Sequence, residues 1–80
     1  MRIDKFLKNA RIIKRRAIAK EACDQGKVTV NDKTVKAGHE VKVGDIIAID
    51  FGTRTFKGEV LDLKEHVTKE SAKDLYKILS

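Results

Sequence analysis

The sequence predicts an α+β fold: two packed helices, then a small, mostly antiparallel sheet and a short C-terminal helix, in a single domain over residues 1–80. Three observations predict it. Apolar side chains recur every three or four residues up to Gly26 and every two residues beyond it, which are the periods of a helix and of a strand. Asn31-Asp32 and Gly44-Asp45 punctuate the second part as turns. The chain has no proline, repeat or low-complexity stretch to mark a linker.

Each element follows in order. Ile3, Phe6, Leu7, Ala10 and Ile13 form the apolar stripe of a first helix, with Lys5, Lys8 and Ile12 opposite it. A second helix begins near Lys14 to Arg16 and runs to Gln25, rich in alanine, with Ile18, Ala22 and Cys23 as its expected packing face. Gly26 stands where a helix end takes a left-handed residue. Val28–Val30 and Lys33–Val35 read as strands joined by a tight turn at Asn31-Asp32. Val41 and Val43 continue the alternation, Ile46–Ile49 is a buried strand, and 56–63 is a further strand. Gly52 is expected to mark a bend and Gly58 a bulge. Ser71 and Asp74 suggest a capping box for a last helix with Ala72, Leu75, Tyr76 and Leu79 on its apolar face.

Charge carries the functional signal. Residues 1–27 hold nine Lys or Arg against Asp4, Glu21 and Asp24, nine minus three or +6, whereas the remainder holds nine of each sign. The whole net charge therefore lies in the first third, as expected of a polyanion binder. Arg2, Lys5, Lys8, Arg11, Lys14, Arg15, Arg16, Lys20 and Lys27 are the candidate nucleic-acid contacts. Guanidinium matches phosphate oxygens in pairs and stays charged at cellular pH. Arg16 carries the greatest weight, and its competing role is an ion pair with Asp4 or Glu21.

Other features have plainer readings. Cys23 is expected to be a small buried hydrophobe, and a lone thiol suits a reducing, cytoplasmic compartment. His39 and His66 lack metal-ligand spacing, so neither metal nor cofactor is expected. Asp45 reads as a turn residue. The scattered aromatics suit a core better than a base-stacking platform, and recognition by phosphates and duplex shape fits better. Charges interrupt every apolar stretch, which excludes a membrane span and a secretory signal. No catalytic constellation is visible, so a binding protein is expected and not an enzyme.

Four blocks in order, Met1-Arg2-Ile3-Asp4-Lys5-Phe6-Leu7, Lys14-Arg15-Arg16-Ala17-Ile18-Ala19-Lys20-Glu21, Gly26-Lys27-Val28-Thr29-Val30-Asn31 and Val43-Gly44-Asp45-Ile46-Ile47, resemble the S4-type RNA-binding domain, or αL motif. The resemblance covers residues 1–51, leaving a strand and the closing helix in 52–80. Within it, the start and the Arg-Arg-Ala-x-Ala-Lys-Glu block are most similar to the RqcP family of ribosome-associated quality control factors. That family is related to the fifteen-kilodalton ribosome-binding heat-shock proteins. A monomer is expected, and the resemblance implies a factor that binds stalled large ribosomal subunits carrying peptidyl-tRNA. It would contact large-subunit ribosomal RNA and tRNA, support alanine tailing with RqcH, and place Arg16 at the family's motif arginine. Three alternatives stand beside it: a heat-shock-like recycling or assembly factor for free large subunits, an accessory RNA-binding module of an RNA-modifying enzyme, and a DNA-binding helix-turn-helix.

Overall fold

A computed structural model describes residues 1–79. Helix α1 (Ile3–Asn9) and helix α2 (Arg16–Asp24) are followed by strands β1 (Val28–Val30), β2 (Lys33–Thr34), β3 (Ile46–Asp50), β4 (Thr55–Val60) and β5 (Tyr76–Ile78), with a 3-10 helix at Ser71–Leu75 before β5. The five strands form one sheet in the order β2-β1-β3-β4-β5, every pairing antiparallel.

The predicted stripe of the first helix forms the core: Ile3, Phe6, Leu7, Ala10 and Ile13 are all buried, against Val28, Val30, Ile47, Ile49, Val60 and Leu75 from the sheet and its closing segment. The stripe outlasts the helix, because α1 ends at Asn9 while Ala10 and Ile13 still face inward. Both helices stop in the same hydrogen-bond pattern. After α2, Gly26 donates to the Cys23 carbonyl and Lys27 to that of Ala22; after α1, Arg11 donates to Lys8 and Ile12 to Leu7. This is the Schellman arrangement, whose turning residue is left-handed. Gly26 has φ +75° and Arg11 +58°, so arginine occupies a conformation that glycine adopts without steric cost.

The Asn31-Asp32 turn is as expected, with φ of +52° and +69° between the paired Val30 and Lys33, the geometry of a type I′ hairpin. Asn31 also ties the hairpin to the next turn: its Nδ2 donates to Asp45, and its Oδ1 accepts from the Ile46 amide at 3.0 Å. Asp45 in turn accepts from the Lys42 amide, so both act as backbone devices.

Five local expectations are corrected. On α2 the expected Cys23 is buried and Ala22 packs partly against the core, but Ala19 takes the inward place expected of Ile18, which is half-exposed. Arg16 reaches Asp4 of α1, and Ala19 and Cys23 lie within about 60° of Arg16 on the helix wheel, so that contact turns Ile18 outward. The closing helix is shorter than expected: after Leu75 the chain pairs as β5, with Tyr76 opposite Val60 and its ring packed edge-on against Phe56 at 5.7 Å. The capping box lies between Thr68 and Ser71, whose side chains accept from each other's amides. Val41 and Val43 are outside any strand; Val41 is buried and its amide donates to Met1, tucking the N-terminus in, while Val43 is exposed. Gly58 makes no bulge, since it pairs in register with Ile47. Its missing Cβ leaves room for the Phe56 ring, which would lie 2.8 Å from that atom.

Candidate nucleic-acid interface

The site is built around one buried acid. Asp4, on the first turn of α1, is 3% exposed and its carboxylate sits between two guanidiniums. Arg2 Nε lies 3.3 Å from Oδ1, Arg2 Nη2 donates to Oδ2 at 3.3 Å, and Arg16 Nε lies 3.3 Å from the same Oδ2. A buried carboxylate requires such partners, and here they come from the residue before α1 and the first residue of α2. Both arginine side chains remain 48% exposed. The contacts to Asp4 use Nε of each and one Nη of Arg2, so Arg16 keeps both amino groups free to grip phosphate oxygens in a fork.

Two features hold this pair in place. An isolated β-bridge joins Arg2 to Glu40, and Glu40 also holds the N-terminal ammonium at 2.8 Å. That ammonium, which donates a hydrogen bond to it, keeps the Glu40 carboxyl below its ordinary pKa of 4.5. Gly38 lies against the Arg2 guanidinium, its absent Cβ position 3.9 Å from Cζ. The competing role foreseen for Arg16, an ion pair with Asp4, is thus present, and it fixes the guanidinium without burying it.

The other predicted residues distribute over several surfaces. Lys20 is exposed one turn beyond Arg16 on α2, and Arg15 is exposed in extended backbone just before that helix. Lys8, Arg11 and Lys14 line a groove beside the Glu65–Lys69 segment. Lys27 borders a different recess with Ile18, Ala22 and Phe51. Lys5 is ion-paired with Glu65, and this hydrogen bond holds the Glu65 carboxyl below its ordinary 4.5. Sequence reasoning gave Asp4 only as a rival partner and missed Asn9, Glu65 and Lys69. For Asn9 a signal existed: a polar residue at i+4 from Lys5 on the border of an apolar stripe.

Cys23 is buried beside Asp4 and Asp24, and burial, reinforced by those two carboxylates, pushes its thiol pKa upward. Among the described residues no cluster of His, Cys, Asp and Glu could hold a metal ion, and no helix is long and apolar enough to cross a membrane. Phe6 is core and Phe56 and Tyr76 are partly covered, but Phe51 is exposed, with the Arg54 guanidinium 6.0 Å from its ring centre.

The sequence and the fold both have counterparts among known proteins. The S4 domain family matches residues 1–47, the part that contains Asp4 and both arginines. A Halalkalibacterium halodurans protein described as an RQC P-site tRNA stabilizing factor is 51% identical, over 98% of this chain and 89% of its own. The Bacillus subtilis protein of the same description is 46% identical, over 99% and 92%. Among solved structures, the trimeric heat shock protein 15 of Vibrio cholerae superposes with a TM-score of 0.91 at 26% identity, covering all of this chain and 82% of that one. The solution structure of the hypothetical protein HP1423 superposes at 0.85 with 30% identity, covering 98% of that chain. With two helices that deliver arginines to one shared acid ahead of a five-stranded antiparallel sheet, the chain belongs to the S4-domain family, in the group that holds the RQC P-site tRNA stabilizing factors.

Proposed function

We propose that this protein is an RNA-binding factor of ribosome-associated quality control. It binds large ribosomal subunits that carry peptidyl-tRNA and steadies the P-site tRNA against large-subunit ribosomal RNA. The single observation that carries the reading is the half-exposed Arg2 and Arg16 pair held on buried Asp4. Two guanidiniums oriented by one shared carboxylate present donors to phosphate oxygens in a fixed geometry, whereas free surface lysines supply charge without register. The names of its relatives supply the tRNA and the quality-control setting. In this reading the protein acts in the cytoplasm as a monomer, by positioning and not by catalysis, and supports alanine tailing together with RqcH.

The test is Arg16→Glu. Arg16→Glu removes one of the two guanidinium partners of buried Asp4, so circular dichroism first establishes that the variant is folded; the folded variant leaves the large-subunit fraction of a sucrose gradient. Unchanged co-sedimentation refutes the assignment. Loss of alanine tails on deletion of the gene tests the link to RqcH, and light scattering tests the monomer. A second reading, recycling of free large subunits, is favoured by the 0.91 superposition on heat shock protein 15; normal tails in the deletion strain would select it.

A further inference from the structure

The groove between the end of α1 and the Glu65–Lys69 segment is separate from the arginine pair, and only one of its walls, Lys8 to Lys14, lies within the matched S4 residues; it has the features of a site. Its volume is about 420 Å³, within the range of small-ligand pockets. Lys8, Arg11 and Lys14 line one side, and His66, Val67 and Lys69 line the other. The one acid on it, Glu65, is neutralised by Lys5, so the four cations are left without a counter-charge in the wall.

The far wall is also fixed. Asn9, buried on α1, donates through Nδ2 to the carbonyls of Lys64 at 3.1 Å and Glu65 at 3.4 Å. Lys5 and Asn9, four apart on one helix face, therefore clamp the segment from both of its polar handles. At the near wall Arg11 stands in its left-handed conformation, a costly place for a branched-off cation. Strain retained where an outward-pointing charge meets a recess points to a role for that charge.

We infer that this groove is a second RNA site, which takes one unstacked nucleotide: its phosphate among Lys8, Arg11 and Lys14, its base against His66 and Val67. A duplex keeps its bases inside and presents phosphates on a convex ridge, so only an extruded or single-stranded nucleotide fills a recess. His66 supplies the ring and Val67 the apolar surface, while Lys69 closes the outer edge. Lys5 and Asn9 are positioning residues for the wall. The inference rests on the RNA reading above but concerns a separate surface and a different RNA conformation.

Two probes separate the sites: single-stranded hexa-adenylate and a blunt twelve-base-pair RNA duplex. Amide shifts of Lys8, Arg11, His66 and Val67 in the labelled protein are expected with the hexanucleotide and absent with the duplex. The double variant His66→Ala, Lys69→Gln, both changes on exposed residues, weakens hexanucleotide binding by about fivefold or more, the low end for one stacked base. It leaves duplex binding within about twofold. Equal losses for both probes, or no hexanucleotide shifts in the groove, overturn the inference. Arg16→Glu is the control that keeps the two readings apart. If it abolishes duplex binding while the groove variant binds hexa-adenylate normally, the groove site fails and the arginine site stands. If it changes nothing, the arginine assignment fails.

Discussion

Replacing Asp4 by asparagine separates orientation from charge as the source of RNA affinity. The substitution is nearly isosteric and removes one of the twelve acidic side chains, raising the net charge from +6 to +7. If affinity came from counterion release alone, the variant would bind RNA as well as the native protein or better. The structure leads to the opposite result. Asp4 is the common anchor of Arg2 and Arg16, with every contact at 3.3 Å, and a neutral amide holds a guanidinium more weakly than a carboxylate does. Released, both side chains regain rotamer freedom that must be lost again on binding, at about 0.5–1.5 kcal/mol for each. The expected loss in affinity is therefore roughly five- to 150-fold, despite the added positive charge.

Stability falls as well. Hydrogen bonds to charged groups contribute about 1.5–3 kcal/mol each in buried settings, but the arginines are half-exposed and their pairing is screened. A total of about 1–2 kcal/mol follows, or roughly 4–16 °C in the unfolding midpoint for a domain of this size. Fluorescence anisotropy with a labelled RNA duplex, beside thermal unfolding by circular dichroism, measures both quantities. Tighter binding by the folded variant, in step with its net charge, would refute the orienting role of Asp4.

Three further outcomes follow from the same geometry. Arg11→Gly relieves the left-handed strain, worth about 1–2 kcal/mol less the entropy of glycine at about 0.5–1, so the unfolding midpoint rises by a few degrees; a fall shows that Arg11 is needed by the fold itself. Gly58→Ala forces a Cβ to within 2.8 Å of the Phe56 ring and costs about 1–3 kcal/mol, read as a lowered melting temperature, with an unchanged melt counting against the packing described. Glu40 and Glu65 both have pKa values depressed below 4.5, chiefly by hydrogen bonds from the N-terminal ammonium and from Lys5. Their contribution is present above pH 4.5 and is lost as the pH falls through the folded-state values. The Glu40→Gln, Glu65→Gln double variant thus loses less stability than the native chain below pH 4.5, and identical slopes in denaturant titrations would reject these pairs.

What the sequence shows and what it hides divide along the range of the interactions. The stripe from Ile3 to Ile13, the glycine stop at Gly26 and the Asn31-Asp32 hairpin are local patterns, and each is found in place. The face of α2 is not local. Its rotation is set by a contact between Arg16 and Asp4 across twelve residues, so Ile18, the most apolar candidate, loses to Ala19. The end of the chain is misread for a similar reason. Ala72, Leu75, Tyr76 and Leu79 have helical spacing, but Tyr76 pairs with Val60 in the sheet, and edge pairing outweighs a weak helical preference in so short a segment. The groove was invisible because its two walls, Lys8 to Lys14 and Glu65 to Lys69, lie more than fifty residues apart.

The two helix endings bring these strands of argument together. Both use the same pair of backbone hydrogen bonds, so the fold asks the same thing of positions 11 and 26, and glycine would serve it at each. Position 26 holds glycine, and the recess beside it sets Lys27 against Glu21 and Asp50, with no excess of positive charge. Position 11 holds arginine at φ +58°, between the recess lined by Lys8 and Lys14 and a second one lined by Phe51, Phe56 and Tyr76. Stability alone does not account for that difference, because a chain of 80 residues with no disulfide has little stability to spare. A cation fixed by its own backbone at the rim of a basic recess does account for it. The guanidinium is presented from a turn anchored to the core through Ile12 and Ile13, whose amides both donate to Leu7. Asp4 differs: paired with both arginines it contributes to the stability of the fold, and the same pairing holds two half-exposed guanidiniums in place. At position 11 a local cost to the fold coincides with a charge at the rim of a basic recess.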